Sequence, residues 1–168
     1  MIRPIGFVDT WAFSSALFAK YKDRFGGEHH SAQILPLRSR DAALPILAEW
    51  KSAKALLTRL RAAAAQGFDG RTPEIGEASV VQMIGGGHVE WSADDARGPH
   101  AHICIVPAPG AWVFSGGDSS VLPPGQLTLV DHRQLWSAAN FGEYPAIHLI
   151  AELYLADDQV DDSESTHS

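Results

Sequence analysis

The stretch GGGHVEWSADD (residues 85–95) sets His88 two residues before Glu90, and Ser92 two before Asp94. Residues two apart share one face of a β-strand, so His88 and Glu90 would point the same way, as would Ser92 and Asp94. Imidazole and carboxylate together can hold a first-row transition metal. Asp94 beside an imidazole can also act as a metal-free acid–base pair. His100-Ala101-His102 repeats the spacing with two imidazoles, and His132 and His148 follow in the same half of the chain. A rearranged metal centre drawn from His88, Glu90, Asp94, His100, His102 and His132 is therefore one reading. Ordinary hydrogen-bonded core histidines, with His102 and His148 bonded to each other or to backbone, are the other.

These groups need elements to aim them. From residue 74 onward, short apolar runs alternate with Gly and Pro breaks: ASVVQMI, HVEWSAD, HAHICIVPA, AWVFSGG, SSVLPPGQLTLVD, QLWSAAN and PAIHLIAELYL. Such a pattern predicts six to eight strands joined by tight turns. The first seventy residues predict helices. DTWAFSSALFAKYKDRF follows a candidate N-cap, Asp9, and carries aromatic residues at roughly helical spacing. SRDAALPILAEWKSAKALLTRLRAAAAQ is rich in Ala and Leu and ends at Gly67; Pro45 fits only its first turn or a kink. Helices first and strands later predict a mainly β barrel or sandwich with N-terminal helices packed on it.

The chain has 168 residues and suits one domain, expected over residues 1–156. Its net charge is −7, and five of the acidic residues lie in the last twelve, DDQVDDSESTHS. Residues 157–168 are read as an acidic disordered tail. No basic patch with interleaved aromatics suggests nucleic acid. No apolar run reaches the roughly 18–20 residues that a bilayer span needs, so no membrane association is expected. The N-terminus lacks the apolar core of a secretion signal, which predicts a cytoplasmic protein. One cysteine, Cys104, allows no internal disulfide and no cysteine-rich zinc site; it reads as an inert buried thiol.

The order of IGEASVVQMIGGGHVEWSAD, HAHICI, GGDSSVLPPGQLTLVDHRQLWSAAN and AIHLIAEL resembles the aspartyl/asparaginyl β-hydroxylase-like proteins, a group that includes the bacterial cis-proline hydroxylases. The resemblance covers about residues 72–155 and is most specific from Pro124 to Leu153. It implies a double-stranded β-helix, the cupin-like jelly-roll barrel, and Fe(II)/2-oxoglutarate oxygenase chemistry on amino-acid or peptide substrates.

Taken position by position, the family's His-x-Asp iron motif falls on Ser92-Ala93-Asp94, with serine in place of the first histidine. Its Arg-x-His falls on His100-Ala101-His102. The distal iron histidine falls on Trp136, and the last 2-oxoglutarate arginine on Ala146. The resemblance thus implies a degenerate metal and cosubstrate site. One carboxylate holds Fe(II) poorly, and the cosubstrate's carboxylate wants arginine's bidentate fork. In the resembled fold the strands carrying the two iron positions lie side by side, so position 92 meets 136 and His88 lies opposite about residue 140. His88 and His132 would then be about 26 Å apart.

The expected cavity is built from Asp94, His100 and His102 as catalytic groups, with Ser92, Trp136, His148 and Trp91 around the ligand and no metal ligands. The expected function is binding of a small molecule or peptide without oxidation, as an accessory binding protein or an acid–base catalyst of the cyclase or isomerase type, with no cofactor. The alternative is a metal-dependent hydroxylase using Fe(II) and 2-oxoglutarate at a rearranged site. A barrel packed shut would be a purely structural domain.

Overall fold

The computed structural model of the chain describes residues 1–29, 32–93 and 98–159. Its strands are β1 (Ile2–Phe7), β2 (Gly26–His29), β3 (Ala32–Arg38), β4 (Glu74–Met83), β5 (His88–Ser92), β6 (His100–Val106), β7 (Ala111–Ser115), β8 (Asp118–Ser120), β9 (Gln126–Val130), β10 (Trp136–Asn140) and β11 (Ala146–Tyr154). Seven form a large antiparallel sheet in the order β1-β9-β6-β11-β4-β3-β2; four form a small one in the order β5-β10-β7-β8. Consecutive strands cross repeatedly between the two sheets, which winds the chain into a double-stranded β-helix.

Alternation along each strand separates two cores. On β11, Ile147, Leu149, Ala151 and Leu153 face the helices, as do Ala101, Ile103 and Ile105 on β6. Cys104 and Ala146 face the other way, meeting Val113 and Ala138 of the small sheet. His100, His102 and His148 share the phase of this inner face.

The helices are α1 (Trp11–Ala16), α2 (Pro45–Glu49) and α3 (Lys51–Ala64). On α3, Ala53, Leu56, Leu57, Leu60 and Ala64 are buried, an apolar stripe at three- and four-residue spacing. Phe13 and Tyr21 stack on the Trp50 ring at 4.6 and 4.2 Å. Among the described residues no helix is long and apolar enough to cross a membrane.

The strand-rich half matches expectation; the first seventy residues do so only in part. IRPIGF and AQILPLR are strands, although each contains a proline. Pro4 is tolerated because β1 is an edge strand paired only with β9. The long helix expected from residue 39 is two helices broken at Trp50, whose backbone (φ −98°, ψ 81°) leaves the helical region. Burying that indole between Phe13 and Tyr21 outweighs helical continuity. Pro45 opens α2, and Asp9 Oδ1 accepts the Trp11 N–H at 3.0 Å. Ala156–Gln159 forms a short 3-10 turn; the remainder of the expected tail, residues 160–168, lies outside the described residues.

Candidate functional site: an imidazole–indole stack between the sheets

Three neighbouring segments converge between the sheets. β6 supplies His100 and His102, and β11 supplies His148, which lies opposite Cys104 in the ladder. The third segment is the crossover 131–135, which carries the chain from the large sheet to the small one. It is pinned at its first residue. Ser115 Oγ donates to the Asp131 carbonyl at 2.9 Å, and the Asp131 carboxylate accepts the Arg133 N–H and both Nε and Nη2 of its guanidinium. The Arg133 hydrogen bond holds the Asp131 carboxyl below its usual range. This tie fixes the loop that turns His132 inward, and Trp136 opens β10 directly after it.

The result is a stack. The His132 ring lies between His100, at 3.6 Å and 11°, and Trp136, at 3.9 Å and 12°. His102 stands edge-on to His132 and Trp136, at 5.2 and 5.6 Å. Its Nε2 lies 2.9 Å from His132 Nε2, so one proton bridges them. His100 Nδ1 lies 3.2 Å from the Gly98 carbonyl, an acceptor, so that nitrogen carries the proton.

Burial sets the charge. It pushes the His102 pKa well below its ordinary value, and the neighbouring His132, His148 and His100 push it further. Burial alone takes His148 down to about 4. Both rings are therefore neutral near pH 7. Nδ1 of each is buried without a hydrogen-bond partner. A buried N–H without an acceptor is rarer than a bare lone pair, which puts the His102 proton on Nε2, donating to His132.

One wall of the stack faces a cavity of about 300 Å³. His100, His132 and Trp136 line it together with apolar residues that include Ile34, Val81 and Ile150; Glu77 stands at its exposed edge. Beside His100 in the ladder is Glu152, a buried carboxylate that accepts from Arg40 Nη2 at 3.2 Å and from the Glu77 N–H at 3.4 Å. A Cβ at Gly76 would lie 2.8 Å from Glu152 Oε2 and would push the carboxylate aside.

Of the expected residues, the structure brings His100, His102, Trp136 and His148 together. His102 is fully buried behind His132 and does not line the cavity. Ser92 pairs with Trp136, as the resemblance implied, but is exposed and also absent from the lining. Trp91 is placed elsewhere. Between the pairs Trp136–Ser92 and Ala138–Val89, β5 has two residues opposite the single Ser137. Trp91, adjacent to Ser92, takes the opposite, outer face of the small sheet, 55% exposed and 5.7 Å from the Phe114 ring, and the bulge brings His88 to that same face. His88 pairs with Ala139 and is exposed beside Trp91, remote from His132 as the register implied. Asp94 and the Glu90 side chain lie outside the described residues.

His132, the centre of the stack, is expected from the sequence only as a ligand of a rearranged metal centre and not as a group of the metal-free cavity. It lies on a loop, where strand parity assigns no face; its only sequence signal is the short spacing to Trp136 across a crossover.

This winding, with a site between the sheets, defines a double-stranded β-helix, and solved structures share it. The non-haem α-ketoglutarate-dependent epimerase SnoN from nogalamycin biosynthesis matches with a TM-score of 0.66 at 15% identity, over 93% of this chain and 77% of that one. The collagen prolyl hydroxylase of Paramecium bursaria Chlorella virus-1 matches at 0.64 and 9% identity, over 92% and 96%. A Pseudomonas putida prolyl-4-hydroxylase matches at 0.58 and 13%, over 92% and 91%. At these identities the likeness is one of fold. No protein-family model and no curated protein matches the sequence.

Proposed function

We propose that this chain is an oxygenase-fold barrel that binds a small molecule in the cavity beside the His100–His132–Trp136 stack and acts on it, or presents it, without iron or 2-oxoglutarate. The observation that carries this reading is the stack itself. The position opposite Ser92, where the resembled family places its distal iron ligand, holds an indole packed at 3.9 Å on His132. An indole N–H is a donor only and offers no lone pair to a metal. Ala146, at the position of the cosubstrate arginine, is fully buried in the apolar inner core. Among the described residues no group of three or more His, Cys, Asp or Glu is placed to hold a metal. Trp136 and Ala146 at these two positions argue against the ordinary iron and 2-oxoglutarate arrangement.

The residues present suit proton transfer. His100 and His132 line the cavity, and neutral His102 stands behind His132 as its hydrogen-bond partner. With its proton on Nδ1, His100 presents Nε2 as the basic nitrogen that can exchange a proton with a ligand in the cavity, while the His102–His132 bond orients the His132 ring beside it, which suits isomerisation or cyclisation. Asp94 is proposed as a further acid–base group. The second reading, a rearranged metal centre, draws on the same 2.9 Å approach of two imidazole nitrogens.

Metal analysis of protein purified without a histidine tag separates the two. The expected result is substoichiometric iron, zinc and manganese, and no succinate formed from 2-oxoglutarate with Fe(II) in air. A stoichiometric transition metal that disappears in His102→Ala would overturn the proposal in favour of the metal centre.

A further inference from the structure

On the opposite face of the large sheet lies a second cavity, of about 390 Å³, between α2, α3 and the ends of β3, β4 and β11. It is independent of the barrel site. Its helical wall comes from positions 54, 57, 58 and 61 of α3, one face at three- and four-residue spacing. The floor is apolar: Leu47, Leu57 and Ile75 are each at most 7% exposed and belong to the helix-side core.

The rim is cationic. Arg38, Lys54 and Arg61 line the cavity, against a single carboxylate, Glu74. Glu74 is already engaged: Arg61 Nη2 donates to its Oε1 at 2.6 Å, and Arg61 Nε to the Pro73 carbonyl at 2.9 Å. Arg38 donates from Nε to the Gly76 carbonyl at 3.2 Å, and among the described residues neither terminal nitrogen of its guanidinium has an acceptor. Neither Arg38 nor Lys54 has a carboxylate partner among the described residues. The Tyr154 side chain lines the same cavity. Two unpaired cations converging on one cavity do not follow from overall composition, since the chain carries a net charge of −7.

From this geometry we infer a binding site for a small amphipathic oxyanion: a carboxylate or phosphate head held by Arg38 and Lys54, with an apolar body lying over Leu47, Leu57 and Ile75. The terminal edge of a guanidinium matches two oxygens of one head group in a planar fork, and Lys54 adds a point charge. A volume of 390 Å³ lies at the small end of ligand cavities, which selects a short-chain or single-ring body.

Calorimetric titration of the full chain with octanoate and with octyl phosphate tests the site, with octylamine and octanol as controls of equal chain length. One or both anions are expected to bind with affinity that falls as salt rises, and the tighter of the two identifies the head group; octylamine is expected not to bind. Arg38→Gln and Lys54→Glu should each weaken the anion about tenfold or more, the scale of a lost charged hydrogen bond. Lys54 is exposed, so its variant should melt as the parent does. Trp136→Ala should leave anion binding unchanged, which separates failure here from failure of the barrel reading. Equal binding of octanol or octylamine, no binding of either anion, or parental affinity in the folded Lys54→Glu variant would overturn the inference.

Discussion

His132 sits between two rings and shares a proton with a third, so its replacement separates stacking from hydrogen bonding. His132→Phe keeps an aromatic ring between His100 and Trp136 but leaves the His102 Nε2 group buried without its partner. A loss of about 1–3 kcal/mol is expected in urea unfolding. His132→Ala removes the stacking contacts as well, at about 0.5–1.5 kcal/mol each, and should lose correspondingly more. If His132→Phe unfolds at the parental urea midpoint, the imidazole pair makes no net contribution to stability. Legibility at this scale was uneven. His100 and His102 could be placed on one inward face because strand spacing alternates. His132 could not, because its direction depends on the Ser115 and Arg133 bonds to Asp131, which bring together residues far apart in the chain or fold a loop on itself.

The elements explain why two tryptophans in nearly equivalent settings differ. Trp136 starts β10 in phase with the inner face, whereas Trp91 is one residue out of phase with Ser92, the ladder partner of Trp136, and so faces outward. Trp91→Ala should therefore change stability by less than about 1 kcal/mol and leave the barrel cavity intact, while Trp136→Ala, which loses a half-buried ring stacked on His132, should cost about 1.5–3 kcal/mol. Equal losses would show that Trp91 packs inward. Gly110 is the other element-level constraint: a Cβ there would run into the Gly142 backbone, where the β10–β11 turn crosses the start of β7. Gly110→Ala should lower the thermal midpoint, by an amount equivalent to about 1–3 kcal/mol, without altering any cavity residue. The strands after residue 74 were legible because each apolar run is closed by Gly or Pro. β1 and β3 were not, because the prolines that argue against a strand are accommodated by this particular sheet. The helix break at Trp50 follows from packing, which outweighs the local preference for helix.

For the whole molecule, the neutral histidine cluster makes stability depend on pH. His148 titrates near 4 in the folded chain and near 6.5 unfolded, so below pH 6.5 the unfolded state binds the extra proton. The associated stability is fully present above pH 6.5 and is lost as pH falls towards 4. Its scale is on the order of 3 kcal/mol. His102 shifts in the same direction, and Asp131, with its carboxyl held low, extends the loss below the ordinary carboxylate range. Urea midpoints should hold level from pH 8 to about pH 6.5 and fall from there to pH 4, and His148→Phe should flatten the fall; a profile independent of pH would show that these rings are not buried neutral. The sequence by itself determined the strand-rich barrel and the shared face of His100 and His102 on β6, because period-two alternation and turn residues are local properties; the pairing of position 92 with 136 was implied by the family resemblance. Tertiary structure alone decided that an imidazole from a crossover loop would lie between His100 and Trp136, that a bulge would bring His88 to the outer face beside Trp91, and that Arg38 and Lys54 would meet over an apolar floor. Each of those depends on contacts between segments tens of residues apart, which spacing along one strand or helix does not encode.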